Sequence, residues 1–518
     1  MAAAWCPAPS GNLWAVALLG LLAYRLVRLV SDVFRSSLAA VPGPRARAAS
    51  RLPLAWSIVR GTLVQDAQAL HRRYGPVVRI SPNEVSLAAE ESWQQVLHGP
   101  EQRFLKDPVW WGDQMGLPTS IVTAIDPQRH KRLRRAVAPS FAPEAIKGQE
   151  PAFQKYVDLL IDRLRSAVRK SGPGKGKNNG KDGENESTGT AVVDIVPWLN
   201  FTTFDIFGAL FFSHSFDCLQ RSEYHPWIAL LFGTVKLAAF IAAARLFPVG
   251  QFLLLRCIPP ALRRVQADHY GHIVDRVSRR LALKDGGASD LMSHILSRGD
   301  RADVPEDDFN ATMLIMTIAG SETVATTLSG TIHYLANSPD KFATLAREVR
   351  ARFDTIEGIT VDAVNGLPYL EAVIKEGLRL CPAIPFTLPR RVPEEGEVGY
   401  AIHRRPDYFH EAASFIPDRW LCEQPGSGEG NPKAEQARSP FAADHLGAVQ
   451  AFSVGPRHCP GRGFAWVEMR LIVAKLVWEF DLLPLEEDAA TTATTTRWED
   501  AGIRLRERTD IGGSDKRQ

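Results

Sequence analysis

The chain has 518 residues, of which 45% are hydrophobic and 23% are charged, a composition typical of a globular enzyme rather than a disordered or fibrous protein. Its net charge of +3 is too small to predict nucleic-acid binding. The six cysteines are scattered without a C-x-x-C pair, which argues against a zinc site or a disulfide framework and favours a reducing compartment.

The N-terminus predicts a membrane anchor over residues 1–36. Leu13 to Tyr24 is apolar and uncharged, and Arg25 and Arg28 follow it within a continuing Leu/Val pattern. The apolar stretch is shorter than the ~20 residues that cross a bilayer, but snorkelling of the two arginines lengthens the span. Because the charges follow the apolar stretch, the pattern favours an anchor over a cleaved signal peptide and predicts a cytosolic location for the rest of the chain. A helix lying in the membrane interface is the alternative.

Two segments after the anchor carry turn signals. Residues 37–50 include Val41-Pro42-Gly43-Pro44, and two prolines around a glycine predict a stiff hinge or a simple helix stop. From Val77 to Ala88 β-branched residues alternate around Ser81-Pro82-Asn83, which predicts a β-hairpin.

A basic helix is predicted to begin at Asp126-Pro127. His130 and Arg134 lie one turn apart on the same face of it, where a His and an Arg can bind a carboxylate together. A solvated basic face is the usual meaning of such a run of charge, and the segment alone does not decide between the two.

The middle of the chain contains two stretches of opposite character. Residues 171–190 are poor in apolar side chains and rich in Gly, Lys and Asn, which predicts a flexible insertion. Trp198 to Leu219 is aromatic-rich and predicts a core helix, and Trp227 to Leu262 is apolar nearly throughout and predicts buried helices.

One long helix is predicted from Pro305 to Pro339, with acidic residues favourably placed in its first turn. In its middle, Ala319 to Val324 reads A-G-S-E-T-V. Thr323 can bond a preceding carbonyl and open the helix locally, which would leave a groove for a small polar ligand. A site of close helix packing is the alternative.

The segment from Leu367 to Pro393 contains Glu376 and Arg379, an i, i+3 pair that would ordinarily be a surface salt bridge. A later segment, Phe415 to Trp420, reads F-I-P-D-R-W.

The most informative stretch is Phe452 to Gly461, F-S-V-G-P-R-H-C-P-G, followed by the apolar run Arg462 to Trp478. Arg457, the neighbouring histidine and the positive end of the following helix favour a thiolate at Cys459. The glycines of the loop let the backbone bend and approach a flat ligand. Burial as an ordinary apolar residue is the usual fate of a lone cysteine.

Together these segments resemble the cytochrome P-450 monooxygenases. The pattern F-x-x-G-x-R-x-C-x-G resembles their haem-binding loop, A-G-S-E-T-V their oxygen-activation motif, and E-x-x-R with P-x-R-W their K-helix and its partner segment. The last resemblance implies that Arg419 joins Glu376 and Arg379, so that one carboxylate shared by two arginines stabilises the core. The resemblance covers about residues 40 to 505, with the motifs in the family's order. It implies a mainly α-helical fold with a smaller β-rich lobe and assigns residues 51–518 to a haem-thiolate catalytic domain.

The resemblance also implies roles for individual residues. Cys459 would bind the iron of haem b. Glu322 and Thr323 align with the acid and the hydroxyl of the family's proton relay, although Val324 departs from the usual Thr or Ser. The other cofactor-binding residues implied by the alignment are His130, Arg134, Arg390, Phe452, Gly455, Arg457 and Gly461.

Partners follow from the same resemblance: O2 as co-substrate, and electrons from NADPH through a cytochrome reductase, with cytochrome b5 as a second donor. Arg457, Arg462 and Lys475 are candidates for the docking surface. The chain would be a single-pass protein of the endoplasmic reticulum membrane. Similarity to fungal secondary-metabolism members such as the isotrichodermin C-15 hydroxylase group points to an apolar terpenoid or polyketide substrate.

The chain departs from the family pattern near residues 394–402. It is shorter there by roughly 15 residues, about two strands of ordinary length, through either a local deletion or an error in gene prediction. Loss of part of the small sheet and an exposed strand edge are the expected consequences. The alternatives to a monooxygenase are therefore a deletion-damaged or non-catalytic haem-binding protein, and a haem-thiolate isomerase or dehydratase, which does not need the acid and hydroxyl pair.

Overall fold

The computed structural model describes residues 11–507, with gaps at residues 99–103, 113–115, 172–189, 248, 251, 253–255, 257–259, 284–289, 298, 386–388, 393–395, 401–402, 422–438 and 486–501. The flexible insertion predicted at 171–190 lies almost entirely outside the described residues. Residues 1–10 of the predicted anchor also lie outside them.

The fold is mainly α-helical with a smaller β part, as predicted. The described α-helices are α1 (Gly11–Phe34), α2 (Arg45–Ala49), α3 (Leu52–Arg60), α4 (Leu63–Tyr74), α5 (Pro108–Trp111), α6 (Pro127–Val137), α7 (Pro143–Lys147), α8 (Glu150–Ser171), α9 (Ile195–Phe212), α10 (Cys218–Arg221), α11 (Pro226–Arg245), α12 (Pro260–Ala282), α13 (Leu291–Leu296), α14 (Glu306–Ala336), α15 (Pro339–Arg352), α16 (Val361–Val364), α17 (Pro368–Leu380) and α18 (Arg462–Glu479). The described strands are β1 (Val77–Ser81), β2 (Glu84–Leu87), β3 (Leu105–Lys106), β4 (Thr190–Asp194), β5 (Arg390–Val392), β6 (Gly396–Tyr400), β7 (Phe480–Leu483) and β8 (Gly502–Glu507).

Helix α14 is the centre of the helical part. It packs against α9, α12, α17 and α18, and its residues are apolar or small on most sides, as expected of a helix surrounded by others. Pro305 caps its N-terminus and acidic residues occupy its first turn, so the predicted long helix is confirmed. The predicted local opening is wrong, because the helix is continuous through Ala319 to Val324.

The β strands form two sheets. One has five strands in the order β1-β2-β6-β5-β3, and the other has three in the order β4-β8-β7. Strands β1 and β2 pair antiparallel, which confirms the predicted hairpin from Val77 to Ala88.

The shortened segment near residues 394–402 still supplies a strand. Strand β6 pairs in parallel with β2 on one side and antiparallel with β5 on the other. The expected unpaired edge is therefore wrong for β6, which has a paired neighbour on each side.

The proline-rich segment of the predicted hinge is attached to this sheet. The N–H of Arg79 in β1 donates to the Pro42 carbonyl at 2.8 Å. A Cβ added at Gly43 would lie 2.5 Å from the Arg79 carbonyl oxygen, so the backbones approach more closely than any other residue allows.

The longest apolar helices of the described residues belong mainly to the core. Among the described residues, α9 and α14 are long and apolar enough to cross a membrane, and so is α11 if its two bent halves are counted together. The apolar stretches of α9 and α14 are 78% and 56% buried within the protein, so they form its core. The predicted anchor contains α1, which has 24 residues and is ~36 Å long.

A buried carboxylate joins α17 to the segment from Phe415 to Trp420. Glu376 accepts two hydrogen bonds from Arg379, at 2.7 and 2.9 Å, and one from Nε of Arg419 at 3.1 Å. Trp420 Nε1 donates to it at 2.9 Å, and the three charged side chains are fully buried. The predicted sharing of Glu376 by two arginines is confirmed.

Replacement Glu376→Gln is expected to lower the free energy of unfolding by ~3–5 kcal/mol, because it leaves two buried guanidinium groups without their shared carboxylate. Urea unfolding followed by circular dichroism measures the loss. Glu371→Gln on the same helix is the control, since Glu371 is partly exposed and its ion pairs are worth ~1 kcal/mol or less. Equal losses in the two variants would contradict the prediction.

A second buried carboxyl, Glu468 of α18, has a different environment. It is fully buried, and neither carboxyl oxygen has a hydrogen-bond partner among the described residues. Burial raises the pKa of Glu468 well above its usual value, so the neutral acid is the favoured form inside the fold.

We expect Glu468 to make the protein less stable as pH rises. Above the unfolded-state pKa of ~4.3 and below the raised folded-state pKa, the folded protein holds one proton more than the unfolded chain. Over this pH range the contribution of Glu468 to the free energy of unfolding falls by ~1.4 kcal/mol per pH unit. Below the unfolded-state pKa that contribution is fully present. Glu468→Gln should remove this slope and raise the free energy of unfolding at neutral pH. Urea unfolding at several pH values from 5 to 8 measures both effects. The exposed control Glu357→Gln should keep the slope, and a slope unchanged in Glu468→Gln would refute the assignment.

Candidate functional site

The cysteine loop is held by backbone contacts directly before α18. The N–H of Cys459 donates to the Phe452 carbonyl at 2.9 Å, and the N–H of His458 donates to the Gly455 carbonyl at 3.1 Å. Gly455 has φ +76°, and a Cβ there would lie 1.9 Å from the Leu97 carbonyl oxygen. Gly461 caps α18. The predicted bend is therefore present at Gly455, where the close approach is to the chain itself. Gly461 has φ −82°, and a Cβ there would lie 3.6 Å from its nearest neighbour, the ring of Phe141.

The sulfur of Cys459 is subject to opposing effects. Burial raises the pKa of Cys459, whereas a hydrogen bond from the Gly461 N–H and the positive charges of Arg134 and Arg462 oppose that rise. Arg457, predicted to act on the sulfur, instead donates to the carbonyl oxygens of Ala124 and Ile125. Burial is the larger effect, so the pKa of Cys459 lies above its usual value, and the loop and the two arginines only partly offset the rise.

Helix α6 carries the predicted His and Arg pair to this loop. Asp126 caps the helix by accepting from the N–H groups of Gln128 and Arg129, at 3.2 and 2.9 Å. Arg134 donates to the His458 carbonyl at 2.7 Å. The predicted helix start is confirmed, and Arg134 lies beside the residue that precedes Cys459.

A concentration of basic groups surrounds His130. This residue is buried, and burial together with the charges of Arg457, Lys106, Arg134 and Arg390 lowers the pKa of His130 to about 3. Lys106 and Arg390 are directly opposite each other in the β3–β5 ladder and are 4% and 7% exposed. Like charges opposite each other destabilise a sheet, so this arrangement favours a bound anion.

The central helix offers a partly open face. Ala319 is exposed in the middle of α14, and Ile315, Thr323 and Thr326 on the same side keep part of their surface accessible. The Thr323 hydroxyl donates to the Ala319 carbonyl at 2.6 Å. Burial raises the pKa of Glu322, which lies beside this face.

The opposite face of the same motif is a packing surface. A Cβ at Gly320 would lie 2.7 Å from the ring of Phe207 in α9, and the Ser321 hydroxyl donates to the Thr203 carbonyl at 3.3 Å. The close-packing interpretation of A-G-S-E-T-V therefore holds on this side of α14, while the side that carries Ala319 stays partly accessible without any break in the helix.

These features fit haem. Its two propionates would neutralise the basic group around His130, and its flat ring suits a site bordered by small side chains. Among the described residues no group of three or more His, Cys, Asp or Glu side chains could hold a metal ion. A metal bound through Cys459 alone must bring its other ligands, as the iron of haem does.

Lys106 is the site residue that the sequence does not indicate. Its local sequence, L-K-D-P, predicts only a chain segment before a helix. The pairing of β3 with β5 places it opposite Arg390. A buried strand position of this kind is ordinarily expected to hold a hydrophobic residue rather than a lysine.

Comparison with known proteins gives consistent matches. The family model for cytochrome P-450 matches residues 42–503. The cytochrome P-450 monooxygenase efuB from Hormonema carpetanum is 34% identical over 501 residues, which cover 92% of this chain and 93% of that protein. Trichothecene C-4 hydroxylase from Trichoderma arundinaceum is 32% identical over 507 residues, 93% and 94% of the two chains. Averantin hydroxylase from Dothistroma septosporum is 34% identical over 483 residues, 89% and 84%.

Gly455→Ala is expected to disrupt the cysteine loop, because alanine is strained at φ +76° and its methyl group would overlap the Leu97 carbonyl. The substitution should introduce strain on the order of 1–3 kcal/mol, and we therefore expect at least about a tenfold loss of bound haem per protein. The pyridine haemochrome assay of purified protein measures it. Gly366→Ala is the control, since a Cβ there meets nothing within 4 Å. Equal haem content in both variants would show that the loop tolerates the change.

Proposed function

Because this chain belongs to the cytochrome P-450 family, we propose that Cys459, the basic group around His130 and the open face of α14 form its active site. The protein is a haem-thiolate monooxygenase, an oxidoreductase that uses haem b, O2 and reductase-derived electrons to oxidise a small molecule. The observation that carries the site assignment is a half-buried thiol near a cluster of cations, two of which, Lys106 and Arg390, are buried.

The cofactor would be held at both ends by side chains already described. Cys459 Sγ would bind the iron, and His130, Lys106, Arg134, Arg390 and Arg457 would surround the propionates. Haem b, when bound, supplies the iron at which O2 is reduced and the O–O bond is cleaved. Phe452, Gly455 and Gly461 shape the loop that presents the sulfur.

Glu322 and Thr323 would deliver protons at the open face of α14. The raised pKa of Glu322 keeps a proton available on its carboxyl nearer to neutral pH. The bond from the Thr323 hydroxyl to the Ala319 carbonyl holds its oxygen in place as an acceptor for the next proton. An isomerase or dehydratase would not need this pair, and fully paired β6 argues against a deletion-damaged protein.

The substrate we propose is an apolar terpenoid or polyketide of fungal secondary metabolism. Two relatives carry names that state hydroxylation of a trichothecene and of averantin. The accessible residues of α14 include Ile315 and Ala319, which contribute apolar surface beside the proton-donating pair.

We also propose a single-pass location in the endoplasmic reticulum membrane, with α1 as the anchor and the catalytic domain in the cytosol. Leu52 and Trp56 of α3 and Phe240 of α11 are exposed apolar residues, and α3 packs against α11. Such a patch suits contact with the membrane surface.

The NADPH-dependent reductase, and cytochrome b5, would bind a basic surface beside the cysteine loop. Lys475 is wrong as a docking residue, because it is 1% exposed and paired with Asp158. Arg457 is also turned inward, towards Ala124 and Ile125. Arg462 remains exposed, and the other exposed basic residues of this surface are Lys131, Arg132 and Arg135 of α6.

The experiment that tests the site is the carbon monoxide difference spectrum of dithionite-reduced microsomes. The native chain is expected to give the Soret band of a thiolate-ligated haem, and Cys459→Ser is expected to lose it completely. Cys218→Ser is the control, since Cys218 is a buried thiol remote from the loop. A band that survives in Cys459→Ser would exclude Cys459 as the ligand.

Thr323→Ala should separate electron consumption from oxygen insertion. We expect product per NADPH to fall by at least about tenfold, within the ~10²–10⁴ that positioned proton transfer contributes, while NADPH oxidation continues. A substrate is first identified by its shift of the Soret band among terpenoids and polyketides. Thr326→Ala, on the same face, is the control, and an equal fall in both variants would count against a specific contribution from Thr323.

A further inference from the structure

Tyr224 connects the protein surface with the interior behind Glu322. It lies in the turn between α10 and α11, half-buried, beside exposed Ser222 and Glu223. Its ring packs edge-on against Phe201 of α9 at 4.8 Å between centroids, and against Phe232 of α11 at 5.3 Å. The phenol therefore extends from the solvent side into the contact between two helices.

Asn200 lies on the inner side of this phenol. Thr203, one turn further along α9, accepts the hydrogen bond from Ser321, and Glu322 is the next residue of α14. The Asn200 amide is therefore within about one helical turn, ~5 Å along the axis, of the level of Glu322.

The amide of Asn200 is only half satisfied. Asn200 is 6% exposed, and its Nδ2 donates to the Val196 carbonyl at 3.0 Å. Its Oδ1 is buried and accepts no hydrogen bond from any residue in the described part of the chain. A buried carbonyl oxygen of this kind is a preferred position for an ordered water molecule.

Asn200 and Glu322 both act on the pKa of Tyr224. Burial raises the pKa of Tyr224 to about 12, a hydrogen bond from Asn200 opposes that rise, and the charge of Glu322 adds to it. Tyr224 therefore stays protonated at neutral pH, and its hydroxyl can donate one proton while accepting another.

We propose that Tyr224 and Asn200 form the solvent-side entrance of the proton relay whose acid is Glu322, with a water molecule on Asn200 Oδ1 between the phenol and the carboxyl. This rests on the proposed function of Glu322. When Glu322 has given up its proton, the water donates one to the carboxylate and takes the phenol proton, and the phenol oxygen takes one from bulk water. The net result is one proton moved from solvent to Glu322, with no change in Tyr224 or the water.

The test is rapid-mixing infrared spectroscopy of the haem-loaded protein transferred into D2O. The protonated carboxyl band lost in Glu322→Gln identifies Glu322 among the other buried acids. Tyr224→Phe keeps the ring contacts and removes the hydroxyl, so we expect deuterium to enter this band at least about tenfold more slowly. Asn200→Leu should slow it similarly, and the carbon monoxide spectrum verifies that each variant is folded.

The control is Tyr369→Phe, which removes a buried phenol hydroxyl from α17, beside Asp418, Asp340 and Glu348 and not in the group around Glu322. Its exchange should equal that of the native protein. Unchanged exchange in Tyr224→Phe overturns the proposed entrance while leaving Glu322 as the relay acid. If Glu322→Gln removes no band and does not reduce product per NADPH, the relay itself is wrong. As a second readout, Tyr224→Phe should raise the solvent deuterium isotope effect on product per NADPH, which a purely structural change would not do.

Discussion

The site depends on an excess of buried positive charge. Lys106 and Arg390 are brought together by strand pairing, and Arg134 and Arg457 approach from α6 and from the cysteine loop. Without an anion their mutual repulsion opposes the same contacts that close the sheet and the loop. If these residues hold the propionates as proposed, binding of a dianionic cofactor would remove that repulsion and would link cofactor binding to the final folding of this region.

Within the motif A-G-S-E-T-V, one side of α14 is tightly packed against α9 and the other side is partly accessible. Gly320 and Ser321 bring α14 against α9 so closely that Phe207 leaves no room for a larger residue. One residue away, Ala319 leaves space open on the other side. Close packing on one side thus fixes the position of the open side, which carries the pair proposed to donate protons.

The sequence predicts well those features that are encoded by nearby residues. The cap at Asp126, the hairpin from Val77, the long helix and the ten-residue cysteine loop all have local signatures, and the structure contains each of them. It predicts poorly what depends on strands or helices far apart in the chain. Lys106 has no local signature. Lys475 is predicted to be exposed because it is charged, but it is buried and forms an ion pair with Asp158 on α8.

The paired strand β6 has a further consequence for how chain length and architecture are related. It lies inside the five-stranded sheet, paired with β2 on one side and with β5 on the other. In the ladder with β5, Val398 is the register partner of Arg390, and the register of a hairpin depends on the length of its turn. A change in the number of residues at this turn would therefore alter the strand that lies beside Arg390, and with it the support of the basic group around His130.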